Sequence, residues 1–322
     1  MYKIEQYNIS HYSLWNEFIT NSKNGTFLFH RDFMEYHSDR FEDFSLMIFE
    51  KEKLVAIFPA NREGDVVHSH KGLTYGGLVY GNKMKLTGVI NIYRELLQFL
   101  NDNDIKTLHI KPVPIIYHKV PAQEQEYVIF LLNAKLTRRD GLSVIDRSNL
   151  LPITRSRKGA IRRGTKNELI IIEEPNFGLF WNEILIPNIK NKHNTKPVHT
   201  AAEINYLHQK FPDKIRHFNV YQENKIVAGT TIFLTDIVAH PQYISGQEDK
   251  NALGSLDYLY SFLIDTFSNY SYFDFGPSTE QQGRKLNEGL MFWKESFGAR
   301  IIIQDFYEVD TANFHLLDDV LI

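Results

Sequence analysis

The sequence predicts a mixed α/β chain, helices on mixed sheets, arranged as two tandem domains. Three observations lead there. The chain has 322 residues, more than a single hydrophobic core ordinarily serves. Amphipathic stretches of helical period alternate with short apolar runs bounded by turn residues. The order of these elements in the first half recurs in the second, as element order and not as residue identity. The boundary falls at 146/147, giving domains 1–146 and 147–322.

In the first half, Tyr12, Trp15, Phe18 and Ile19 recur at helical spacing over His11 to Thr20, and His30 to Ser38 reads as a second short helix. Phe44 to Phe49 and Leu54 to Pro59 are apolar and flank the charged Glu50-Lys51-Glu52-Lys53, which predicts a hairpin. A third strand covers Asp65 to His70. The glycine-rich Lys71 to Gly81 precedes a helix over Met84 to Leu100. Thr107 to Ile110 is a strand, Lys111 to Pro121 a proline-punctuated loop, and Tyr127 to Leu132 a buried strand.

Between the halves, Arg155 to Lys166 holds six positive charges in twelve residues and no acidic one. As a helix it would place Lys158, Arg162 and Lys166 on one face. The second half then opens with a strand at Leu169 to Ile172 and a helix at Phe177 to Ile189. Thr200 and Glu203 form a capping box for a helix that stops near Pro212. Arg216 to Tyr221 and Ile226 to Leu234 make a hairpin turning at Glu223-Asn224, followed by a strand at Val238 to Ser245. Leu256, Leu259, Leu263 and Phe267 line one stripe of a helix over Leu253 to Phe267. A short strand, Tyr272 to Phe275, ends at Gly276. A last helix over Leu286 to Phe297 stops at Gly298, and Ile301 to Tyr307 closes the sheet.

Composition excludes several classes. With 43% hydrophobic and 13% aromatic residues the chain can fill two cores, so global disorder is excluded. A formal charge of −3 and the absence of aromatics among the basic residues argue against nucleic-acid binding. There is no cysteine, hence no disulfide, thiolate metal site or cysteine nucleophile. His68 and His70 lack a third ligand nearby, so no metal is expected. No apolar run approaches the ~20 residues that span a bilayer, so membrane insertion is not expected. Met1 to Ser10 lacks the apolar core of a signal peptide, and the cytoplasm is the expected location.

The element order resembles that of the GNAT acyltransferases, and two copies in one chain resemble the Fem-like branch. The residues that carry this are Pro197-Val198-His199-Thr200 to Phe211-Pro212 and Gln242-Tyr243-Ile244-Ser245. Others are Asp274 to Glu280 running into Gly283, then Leu286 to Gly289, Lys294 to Gly298, and Ile161-Arg162 with Lys166-Asn167. Ser69 to Gly77 is similar to a segment of GNAT-like proteins encoded with surface-polysaccharide genes. The nearest functional analogues are the nucleotide-sugar N-acyltransferases of the FdhC type, which act on dTDP-linked amino sugars.

The resemblance implies an acyl-coenzyme A co-substrate on the second domain. The donor loop would comprise Gln247, Lys250, Asn251, Ala252, Gly254 and Ser255, its backbone N–H groups meeting the pyrophosphate at a helix N-terminus. Lys250 stands where the family pattern has its first glycine. Gly283 and Asn287 would flank the donor, and Asp274 or Glu280 could act as base; equally, the glycines could serve turns and Asn287 could cap a helix. In the first domain, Lys71, Thr74 and Tyr75 are expected to hold the acceptor. His70 is the leading base, because a neutral imidazole can deprotonate a sugar ammonium. Arg162 and Arg163 would grip a diphosphate, or face solvent on a linker helix.

The reaction implied is direct attack of the amine on the thioester. Backbone N–H groups of the Val238 strand would hold the oxyanion, and no covalent enzyme intermediate forms. Two other readings stay open: a Fem-type transfer from aminoacyl-tRNA to a peptidoglycan precursor, and a non-enzymatic polysaccharide-binding protein. Formation of a homodimer is also left open.

Overall fold

The computed structural model describes residues 2–193 and 195–322 and is a mixed α/β structure. Among the described residues no helix is long and apolar enough to cross a membrane. Two compact units form. The first holds Met1–Asp140, Gln282–Arg284 and Ile303–Ile322, and the second holds Gly141–Gln281 and Lys285–Ile302. This departs from a single cut at 146/147, since the last twenty residues belong to the first unit.

In the first unit, Tyr2–Gln6, Leu46–Glu50, Lys53–Phe58 and Val79–Tyr80 make an antiparallel sheet in that order. A second run of strands centres on Thr107–Ile110. Val66–His68 pairs with it in parallel, and Tyr307–Asp310 pairs antiparallel on its other side. The expected strand over Asp65 to His70 is shorter than predicted and forms a hairpin with Asn61–Glu63. The helix Leu86–Asp102 supplies Val89, Tyr93, Leu96, Leu97 and Leu100 to the core beneath.

The second unit orders Ile170–Glu173, Ile215–Gln222, Lys225–Leu234 and Val238–Gly246 as an antiparallel sheet. The hairpin turns where predicted, with Glu223 and Asn224 both at positive φ (47° and 66°), the geometry that matches strand twist. Tyr272–Pro277 adds a parallel neighbour, and Val144–Asp146 pairs antiparallel with it. The helix Ser255–Thr266 buries Leu259, Tyr260, Leu263 and the following Phe267 against Phe218, Ile232, Phe273 and Phe297. The capping box at Thr200 and Glu203 is present, and so is the glycine stop at Gly298 (φ 98°).

One expected strand is a helix, and one strand was not foreseen. Tyr127 to Leu132 lies in a helix, Glu124–Leu131, with Val128 and Ile129 buried and Phe130 out in solvent. A short apolar run cannot by its period distinguish the two states. The long strand Lys135–Asp146 carried no signal, because its first half is Lys135, Arg138, Arg139 and Asp140 rather than an alternation.

Each unit therefore completes its sheet with a strand from the other half of the sequence. The same segment brings the Thr311–Leu317 turn, whose Thr311 Oγ1 donates to the Ile105 carbonyl at 2.6 Å. A chain ending at Ile302 should lose hydrogen-exchange protection throughout Thr107–Ile110 while Ile215–Leu234 keeps its own. Retained protection at Thr107–Ile110 would show that the added strand is dispensable.

Candidate functional site

The second unit contains a sheet that opens. Val238–Gly246 and Tyr272–Pro277 pair in parallel only at Val238↔Tyr272 and Ala239↔Phe273. Beyond that point they part, leaving on the first strand an edge that can accept an extended ligand. A register shift opposite Thr231/Ile232 leaves Gln242 as the extra residue on the same strand. Its Oε1 is buried and has no hydrogen-bond partner among the described residues.

At the mouth of the gap stands His240, which the sequence reading did not single out. Its Nδ1 lies 2.9 Å from the Asp274 main-chain carbonyl and 3.3 Å from Asp274 Oδ2. A carbonyl can only accept, so Nδ1 carries a proton, and in the neutral imidazole the lone pair lies on Nε2. Nε2 makes no hydrogen bond among the described residues, and the side chain retains 13% exposure. Asp274 is buried, and its Oδ1 accepts the Gly276 N–H at 2.8 Å. Gly276 sits at φ 72°, and a Cβ there would come within 3.2 Å of His240 Cε1. Only glycine satisfies both conditions. Lys294 fastens the far side, donating from Nζ to the carbonyls of Gly276 (2.8 Å) and Pro277 (2.7 Å). Burial pushes its pKa down to about 8, opposed by Asp274.

The expected donor loop differs from its prediction. Gly254 has φ 69°, and a Cβ on it would lie 2.5 Å from the Ala160 carbonyl. Gly254 and Ser255 are buried where the basic helix Arg155–Lys166 crosses, so their N–H groups do not face a ligand. Gln247 Nε2 anchors the loop to the Ile226 carbonyl at 3.2 Å. Lys250 is partly exposed, and Asn251 and Ala252 are exposed. Arg163 runs beside Gly254, and Arg155, Lys158, Arg162, Arg163 and Lys166 all face solvent. None of the five makes an ion pair among the described residues. Asn287 is a helix cap: its Oδ1 accepts the Leu290 N–H and its Nδ2 donates to Glu280 at 3.1 Å, which occupies both groups. Gly283 belongs to the first unit, where a Cβ would clash with the Arg139 carbonyl at 2.0 Å. Its freedom serves packing.

In the first unit, His68 and His70 do not share a face. The strand ends at His68, and His70 turns away at φ 65° to lie against His37 and Phe41. It is 4% exposed and burial holds its pKa well below the usual value, so it cannot meet an acceptor as predicted. Tyr75 is also core, its hydroxyl on Thr26 Oγ1 at 3.1 Å and its ring against Phe29 and Tyr117. Thr74 is exposed, and its carbonyl accepts from Gln304. Lys71 lines a cavity of about 310 Å³ together with His68, His109, Lys111, Arg138 and Tyr307.

Comparison with solved structures gives the fold its class. The chain aligns with FemX over 98% of its length and 99% of that chain, with a TM-score of 0.67 at 7% identity. It aligns with L-PGS from Bacillus licheniformis at 0.58 and 11% identity, covering 94% and 92%. A tandem GNAT protein from the clavulanic acid biosynthesis pathway gives 0.52 and 9%, covering 97% and 99%. The chain thus has the Fem-like, GNAT-type fold, and identities this low speak for fold alone. No protein-family profile matches the chain, and no curated protein matches it by sequence.

The basic helix is seated by one internal ion pair. Arg157 pairs with the buried Asp257, which also accepts from Trp293 Nε1 at 2.8 Å, and Arg157 Nε donates to Ser296 at 2.7 Å. Arg157→Ala should destabilise the second unit by about 3–5 kcal/mol in urea unfolding, because Asp257 would keep its charge in a closed site. A change below about 1 kcal/mol would mean that water reaches Asp257 freely.

Proposed function

We propose that this chain is an N-acyltransferase built from two GNAT-type domains, in which an amine attacks an acyl donor held in the gap of the second unit. The observation that carries the reading is the parted pair of strands with His240 at its mouth. The open strand edge is suited to the amides of a pantetheine arm, and the Nε2 lone pair can take a proton from the acceptor's ammonium, freeing the amine to attack. Asp274 orients the imidazole through its main-chain carbonyl. His240 replaces His70 as the base, with Asp274 in support.

The finer assignment is an acyl-coenzyme A donor and a nucleotide-linked amino sugar, of the dTDP type used for surface polysaccharide, as acceptor. With Gly254 and Ser255 covered, the donor's phosphates fall to the side chains of Lys250 and Arg163, beside the exposed Asn251 and Ala252. Lys71 and Thr74 remain the acceptor candidates of the first unit, and Arg162 serves a diphosphate. Asn287, Glu280 and Gly283 support the structure.

A second reading has its own observation. Five exposed cations on the Arg155–Lys166 helix, beside a closed helix N-terminus, suit a donor carried on a polyanion such as aminoacyl-tRNA. Thermal shift with acetyl-coenzyme A against aminoacyl-tRNA separates the two, since the true donor stabilises the fold by mass action.

With acetyl-coenzyme A and a dTDP-linked amino sugar, His240→Ala should lower kcat by about a hundredfold or more. The KM for the donor should scarcely move. Lys250→Glu should instead raise that KM with kcat near the parental value. An unchanged rate in His240→Ala, followed by mass spectrometry of the acylated product, would remove His240 from the mechanism.

A further inference from the structure

The cavity of the first unit has a chemistry of its own. His68 and His109 stand side by side on paired strands, their rings stacked 4.9 Å apart and 8° from parallel. Lys111 follows the end of the strand that carries His109, and all three side chains line the cavity. Lys111 Nζ donates to the Leu73 carbonyl and, at 3.3 Å, to that of Lys71. No carboxylate reaches it among the described residues. The Arg138 guanidinium carbon lies over the Phe306 ring, 4.5 Å from its centre, and Nε and Nη2 are spent on Asp140 (2.8 and 2.6 Å), leaving donors over.

We propose that this cavity binds the phosphoryl group of a small phosphorylated molecule, of monosaccharide-phosphate size, between Lys111 and Arg138 with the two imidazoles as neutral donors. The volume of about 310 Å³ lies at the small end of ligand sites. A phosphoryl group brings close to two negative charges and three acceptor oxygens, which match the Lys111 ammonium, the remaining N–H groups of the Asp140-paired Arg138 and two imidazole N–H donors better than a carboxylate does. The neighbouring charges agree. Lys71 is neutralised by Glu63 at 2.5 Å, and Glu63 also lies 3.7 Å from His68. Burial, then His109 and Lys71, push the pKa of His68 down to about 4, and that of His109 is lowered by burial against the pull of Glu308. Both imidazoles are therefore neutral at physiological pH, as is the buried His70 behind them. Burial, with Arg138 adding to it, brings Lys111 down to about 7. An anion here would restore its charge.

The sign follows. An anion raises the pKa of Lys111, so just below pH 7 the amine is already charged and affinity is highest, until near pH 6 the phosphoryl group takes its own second proton and affinity falls again. Above pH 7 each binding event takes up as much as one proton, and affinity falls by up to about tenfold per pH unit. The site goes beyond the transferase reading, whose dTDP-linked acceptor carries a doubly esterified diphosphate and no terminal phosphoryl group. Its test needs no acyl donor, so it can fail while that reading stands.

The experiment is calorimetric titration of the whole chain with glucosyl phosphate, in phosphate-free buffers of differing ionisation enthalpy. Glucosyl phosphate should bind with proton uptake that appears only above neutral pH. Lys111→Met should lose about tenfold or more in affinity. Lys111→Arg should bind without the uptake, since a guanidinium does not titrate there. Absence of binding by both glucosyl phosphate and inorganic phosphate at millimolar concentration would overturn the proposal, as would parental affinity in Lys111→Met. Glucuronate binding as tightly as glucosyl phosphate would overturn the phosphoryl assignment. If Lys111→Met fails to fold, persistent proton uptake in Lys111→Arg would overturn it equally.

Discussion

Backbone hydrogen bonding at strand edges governs this structure more than any single contact. A buried N–H or C=O without a partner costs about as much as the bond it lacks, so a central strand must be flanked on both sides. Thr107–Ile110 in the first unit and Tyr272–Pro277 in the second each gain a flank from the other half of the sequence. That requirement fixes where the chain must run after each last helix. Against that requirement the parting of Val238–Gly246 from Tyr272–Pro277 stands out. Where two neighbouring strands part inside a sheet, the parted backbone needs its own supports.

Those supports are specific. Gly276 bends the departing strand at a positive φ, and Lys294 takes up two carbonyls that the bend turns away from the ladder. Asp274 fixes the bend through the Gly276 N–H and fixes His240 through its own carbonyl. One residue thus ties backbone shape to imidazole orientation. A carboxylate at this position is buried with polar contacts on each side, which is how a charged group is retained in a closed site.

Much of this was legible in the sequence. The capping box at Thr200 and Glu203, the Glu223-Asn224 turn and the Gly298 stop were readable because each is a local rule with its own chemistry. The Asp274 to Gly298 stretch carried much of the resemblance to the Fem-like branch. What escaped was whatever depends on pairing at a distance. The strand Lys135–Asp146 reads as charged loop because its partners lie far along the chain. His240 reads as an ordinary strand residue until its neighbour across the gap is known. His70 went wrong for a related reason: an alternation of two holds only while the strand lasts, and this one stops at His68. The loop at Gly254 was misjudged because a helix from elsewhere in the unit covers it, which local spacing cannot reveal.

The exchanged strands bear on how the protein is made. During synthesis the N-terminal half emerges first, yet the edge of Thr107–Ile110 waits for Tyr307–Asp310, two hundred residues downstream by the pairing of Ile110 with Tyr307. Translation at about 5–20 residues per second makes that wait on the order of ten seconds or more, long compared with the closing of a local hairpin. Through that interval an apolar sheet edge stands open to other nascent chains. The ribosome-bound half is thus a natural client for a holding chaperone, and the molecule's weakest moment comes before its last strand exists.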